Sequence, residues 1–186
     1  MISIQHCKTA VASAAIAALF AASGAFANTM NKADYSAAKD RISADYKADK
    51  EACAKFSGNE KDICQAQAKG KAKVAKAELA FSDSGKASDA NKVAVVKADS
   101  AFVVAKEMCD DKGGDVKDVC RTEAKAAHTK ALADAKLNKK ISEAVKDSFE
   151  DKRDADYKVA AEKCGSLAGD AKAACIDAAK ARFNKS

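Results

Sequence analysis

The 186 residues include 48% hydrophobic side chains, yet aromatics make up only 5% and tryptophan and proline are absent. Any core must therefore be built mainly from alanine with a few Ile, Val, Leu, Phe and Tyr, and such a core is thin. The net charge of +6 comes from 33 basic against 27 acidic residues that alternate finely along the chain, the mark of solvated helix faces rather than of a polyanion groove.

In chain order, Lys8 is followed by an apolar run over residues 10–22 that ends at Ala25, Phe26 and Ala27 before a polar stretch from Asn28. This pattern predicts a secretory signal peptide over residues 1–27 with an A-x-A cleavage site after Ala27. The run is shorter than the ~20 residues of a bilayer-spanning helix, so the mature chain is expected to carry no membrane span. Cys7 precedes the run, whereas a lipoprotein needs its cysteine directly after it. Removing the leader also removes Cys7, which leaves six cysteines in an exported context where disulfides persist.

Those six belong to a 24-residue unit that occurs three times: YKADKEACAKFSGNEKDICQAQAK at 46–69, FVVAKEMCDDKGGDVKDVCRTEAK at 102–125 and YKVAAEKCGSLAGDAKAACIDAAK at 157–180. Aligned without gaps, the copies share Glu51, Glu107 and Glu162; Cys53, Cys109 and Cys164; Gly58, Gly114 and Gly169; Cys64, Cys120 and Cys175; and Lys69, Lys125 and Lys180. First cysteines fall 56 and then 55 residues apart, long enough for two helices per repeat. Six cysteines allow 15 pairings. The repeat makes one of them the simplest: Cys53 with Cys64, Cys109 with Cys120, Cys164 with Cys175.

Residues 28–56 read as a helix whose Tyr35, Ile42, Tyr46, Cys53 and Phe56 recur along one stripe. Gly58 then supplies a helix stop, and Asn59 a cap for the next helix. Gly114 with Asp115, and Gly169 with Asp170, repeat the device. Cysteines in the last turns of one helix and the first turns of its antiparallel partner can approach to the ~5.5 Å between alpha carbons that a disulfide requires. Each C-x10-C unit is thus expected to staple an αα-hairpin just below its tip. The descending helices run over 59–81 and 115–137, and residues 82–85 (SDSG) form a loop signal. A turn at 137–140 (LNKK) matches that loop by repeat offset but contains neither glycine nor proline. The alternative is one helix from Asp115 to about Leu167. The turn is the preferred reading, giving an all-α chain of about six helices, as an antiparallel bundle or an extended array, in hairpin units 28–84, 85–138 and 139–186.

Catalytic dithiols and zinc sites place their cysteines two to four residues apart, so structural disulfides are the expected role and no metal or cofactor is called for. His128, the single histidine of the mature chain, is expected to face solvent on an Ala/Lys-rich helix. Glu51 with Lys69, Glu107 with Lys125 and Glu162 with Lys180 are candidate cross-helix ion pairs. No triad, nucleophile elbow or phosphate loop is identifiable, which points away from an enzyme. The acidic balance and the export signal weigh against nucleic acid as a partner.

The phrases YKADKEAC, SGNEKDIC, EAKAA and KGKAKVAKAELA resemble those of small exported proteins of Gram-negative bacteria, sometimes labelled TolA-like or cell-envelope proteins. The resemblance covers residues 46–137 best, and the C-x10-C hairpin is its specific part. The leading reading is a periplasmic or secreted, non-enzymatic helical repeat protein with a binding, scaffolding or stress-protective role in the envelope, its partner an envelope protein or an anionic cell-surface polymer. The alternatives are a carrier or scavenger of a small ligand or metal, and a binder of lipopolysaccharide, peptidoglycan or nucleic acid.

Overall fold

A computed structural model describes residues 30–185, so the expected leader and the expected cleavage after Ala27 lie outside the described residues. Five α-helices follow one another: α1 Lys32–Ala52, α2 Gly58–Ser84, α3 Ala87–Asp110, α4 Gly114–Lys163 and α5 Gly169–Phe183. Short 3-10 turns at Cys53–Lys55 and Cys164–Ser166 close α1 and α4. The chain is all-α, and disulfides link its hairpins.

Local chemistry explains where the helices begin and end. Asn31 caps α1, its side-chain oxygen accepting from the Asp34 amide at 2.9 Å. Gly85 ends α2 at φ 61° while its amide donates to the Phe81 carbonyl. At each stapled tip an extended residue (Ser57, Gly113 or Ala168) is followed by a glycine at φ +53°, +51° or +56° (Gly58, Gly114 or Gly169) that opens the next helix. A side chain at such a φ is strained, which accounts for the same residue in all three copies.

The tips correct one expectation. Asn59 is not a cap: it lies inside the first turn of α2, and its Nδ2 donates to the Glu107 carbonyl of α3 at 2.8 Å. Asp115 and Asp170 also sit in first helical turns without capping, where a carboxylate complements the positive end of the helix dipole.

A second correction concerns the helix count. No turn forms at Leu137 and Asn138; α4 runs unbroken for 50 residues, about 75 Å at ~1.5 Å per residue. Lysine, alanine, leucine and glutamate sustain the helix there, and ion pairs four residues apart, Lys139 with Glu143 and Lys146 with Glu150, brace it. Repeat 2 and repeat 3 therefore share one helix, and the expected boundary at 138/139 falls inside it. The boundary at 84/85 coincides with the Gly85 turn.

Among the described residues each helix packs only on its neighbours in the chain, which makes an open meander rather than a closed bundle. Its core is thin, as the composition requires. Buried apolar residues are three cysteines, Leu79 and six alanines, among them Ala68 and Ala77 of α2, Ala98 of α3 and Ala124 and Ala135 of α4. The longest seam joins α2 to α3, across two repeats and with no disulfide in it. There Gly70 lets the helices close: a Cβ built on it would lie 3.0 Å from Ser100 Cβ. On α1, Tyr35, Ile42, Tyr46 and Cys53 of the expected stripe are buried or half-buried, while Phe56 is exposed.

Candidate functional site

The repeated chemistry of the chain converges on the hairpin tips. The structure pairs Cys53 with Cys64, Cys109 with Cys120 and Cys164 with Cys175, at Cα separations of 5.6, 5.7 and 5.8 Å. In each pair the first cysteine is 1% exposed, sealed where the ascending helix ends. Each disulfide thus occupies the position a large apolar side chain would fill in an ordinary helix pair. Three intramolecular disulfides are at home in an oxidising, exported environment, and no helix among the described residues is long and apolar enough to cross a membrane.

Charges dress the tips, but not through the repeated pairs. Glu51 and Lys69, Glu107 and Lys125, and Glu162 and Lys180 are not among the ion pairs of the described residues. In the first hairpin the bond forms two residues further from the tip on each helix, between Lys71 and Asp49 at 2.9 Å. The Asp49 carboxylate, first through that hydrogen bond and then through its charge, raises the Lys71 pKa. In the second hairpin Asp110 receives Lys117 at 3.1 Å and Arg121 at 2.6 Å. These hydrogen bonds, Lys117 first, hold its carboxyl below the ordinary range. In the third the pair lies at the open end of the hairpin, away from the tip, where Lys185 bonds Asp154 and lowers its pKa in the same way. Exact repetition of Glu and Lys therefore misled, because long side chains choose partners by local reach rather than by repeat register.

His128 is half-buried rather than simply solvent-facing. Its ring stacks on Phe102 at 4.6 Å between centroids and 9° between planes, and its Nε2 lies 2.7 Å from Asp99 Oδ1. It bridges α4 to α3, and the aromatic at the head of the second repeat was the available signal.

Open grooves flank two staples. One of about 410 Å³ is lined by Asp49, Phe56, Gln67 and Lys71 beside Cys53 and Cys64; another of about 560 Å³ is lined by Asp156, Lys163, Arg182 and Phe183 beside Cys164 and Cys175. A third, of about 380 Å³ between α2 and α3, sets Lys73, Lys76 and Lys92, with the carboxylate of Asp99, around an apolar floor of Ala77, Ala80 and Val96. Among the described residues no three potential metal ligands lie together. The arrangement can present surfaces and shallow charged grooves on a covalently pinned frame. No protein-family model, curated protein or solved structure matches the chain.

Proposed function

We propose that the chain is a non-enzymatic, exported helical repeat protein of the periplasm or cell exterior, akin to the TolA-like envelope proteins its phrases resemble. It acts through its helix surfaces as a binding, scaffolding or stress-protective component. The observation that carries this reading is the frame itself: three hairpins, each pinned at its tip by its own disulfide, in an array whose outer faces are rich in lysine, aspartate and glutamate. Such a frame keeps its shape with little core and offers long lateral surfaces to partners. Expression from the complete sequence in a Gram-negative host tests it. The reading expects periplasmic protein that begins at Asn28 with all six remaining cysteines oxidised, and envelope proteins cross-linked to it in place. Reduced protein that keeps residues 1–27 in the cytoplasm contradicts it.

A second reading, an anionic-polymer binder, draws on one place: the groove in which Lys73, Lys76 and Lys92 surround apolar carbon. Retention on an anionic matrix that falls steeply with salt and disappears in a Lys73→Glu, Lys76→Glu, Lys92→Glu variant supports it. Retention unchanged by the three substitutions rejects that groove as the site.

A further inference from the structure

Between the part of α4 that packs on α3 and the part that packs on α5, residues 136–149 are exposed on every side. This bare span carries Leu137, Ile141, Val145 and Phe149, exposed by 55, 51, 49 and 69%. With Ala144 and Ser148 between them they form one apolar stripe along a helix that touches nothing there. The geometry points to this stripe as a self-association surface on which a second copy of the chain lies antiparallel, its own bare span against the first.

Position on the helix leaves room for it. At about 100° per residue, the buried and half-buried residues facing α3 (Cys120, Ala124, His128, Ala135) and those in the α5-paired part (Arg153, Tyr157, Ala160, Ala161) share one side of α4. The centre of the stripe is turned away from that side by roughly a quarter to a third of a turn. Neither α3 nor α5 stands in front of it.

Charge selects the occupant and its direction. Residues 136–142 carry Lys136, Lys139 and Lys140 and no acid, whereas residues 143–156 carry Glu143, Asp147, Glu150, Asp151, Asp154 and Asp156 against Lys146, Lys152 and Arg153. The span is thus basic at one end and acidic at the other, complementary to itself when reversed. With Val145 on the two-fold axis, Ile141 faces Phe149 of the second copy. Lys140, Asp147 and Asp151 lie on one edge of the stripe, and in an antiparallel pair that edge meets its own counterpart. Lys140 then falls between Asp147 and Asp151 of the second copy. A parallel pair in register would set basic end on basic end and acidic end on acidic end. The seam is short, about 24 Å for residues 137–152, so the pair is reversible and concentration-dependent.

Sedimentation of the oxidised protein from about 1 to 300 µM, the range suited to a seam of this size, tests the proposal. The mass should rise from one chain towards two with concentration. Val145→Glu, at an exposed position that leaves the helix intact, should remain a monomer with unchanged circular dichroism. Lys140→Glu should also be monomeric, and mixing it with an Asp147→Lys, Asp151→Lys chain should restore dimers of one copy of each. A wild-type chain that stays monomeric throughout overturns the proposal, as does self-association that survives Val145→Glu. Binding of the monomer to phosphatidylglycerol vesicles through the stripe, lost in Val145→Glu, would instead assign the stripe to a lipid surface and equally overturn it.

Discussion

Gly70 of α2 and Ser100 of α3 are in such close register that a methyl group on Gly70 would stand 3.0 Å from Ser100 Cβ. The equivalent positions in the later copies are Ala126 and Ala181, both exposed. Glycine is present only where a further helix from the next repeat lies across the second helix of a hairpin. The contact between repeats is therefore built into the sequence, and staples are not the sole source of order. Gly70→Val should destabilise the α2 and α3 seam by about 1–3 kcal/mol through overpacking, whereas Ala126→Val should change little. Thermal melting followed by circular dichroism checks both, and equal effects would deny the close approach.

Asn59 ties the first hairpin tip to α3 through the Glu107 carbonyl. Asn59→Ala removes the donor from a partly buried acceptor and should cost about 0.5–1.5 kcal/mol. Asn59→Asp replaces that donor by a carboxylate facing the carbonyl and should cost more. Denaturant midpoints of the two variants measure this. If both match the parent, the tip bond contributes nothing.

These ion pairs give the array a pH dependence of definite sign. The folded-state pKa values of Asp110 and Asp154 are lowered from 3.8, so their contribution is present above that value and is lost as pH falls through the lowered one. Lys71 is raised from 10.5, so its contribution is present below that value and is lost as pH rises through the raised one. All three groups are exposed enough for salt to weaken the effect. Thermal midpoints should fall at acid pH, and Asp110→Asn should flatten that fall. An acid limb unchanged in Asp110→Asn and insensitive to salt would contradict the assignment.

The staples and tip glycines were legible because disulfide geometry and left-handed backbone restrict residue type, so Cys53, Cys64, Gly58 and their counterparts recur unchanged. The Gly85 turn was legible for the same reason. The continuity of α4 was misread: repeat offset argued for a turn at Asn138, while the lack of any glycine or proline there argued against it, and local helix preference prevailed. The roles of Asn59 and His128, and the choice of Asp49, Asp110 and Asp154 as acidic partners, depend on neighbours that only the packing of successive helices supplies. Gly70 was a signal left unread, since a glycine inside a strong helix pattern marks close approach.

The three staples should differ in what they hold. α5 has 15 residues, near the shortest length at which isolated helices are even marginal, and Ala179 is its buried residue. α2 and α3 keep a seam of buried alanines, Leu79 and Gly70 when every disulfide is opened. Cys164→Ser with Cys175→Ser, a loss of about 3 kcal/mol for a loop of this size, should release α5 to rapid hydrogen exchange while amides around Ala77 and Ala98 stay protected. Full reduction should release α1 and α5 before α2 and α3. Uniform loss of protection would mean that the staples alone hold the array.

The continuity of α4 separates the second and third hairpins and bares the stripe between them. Pulsed electron spin resonance can measure the distance between spin labels on the exposed residues Lys125 and Asp151, in labelled chain diluted into unlabelled chain. A continuous helix places the two backbones about 39 Å apart at ~1.5 Å per residue. A turn at Asn138 would fold them side by side at the ~10 Å of packed helices. A single distribution near the longer distance is the predicted result, and one centred near the shorter would contradict the account.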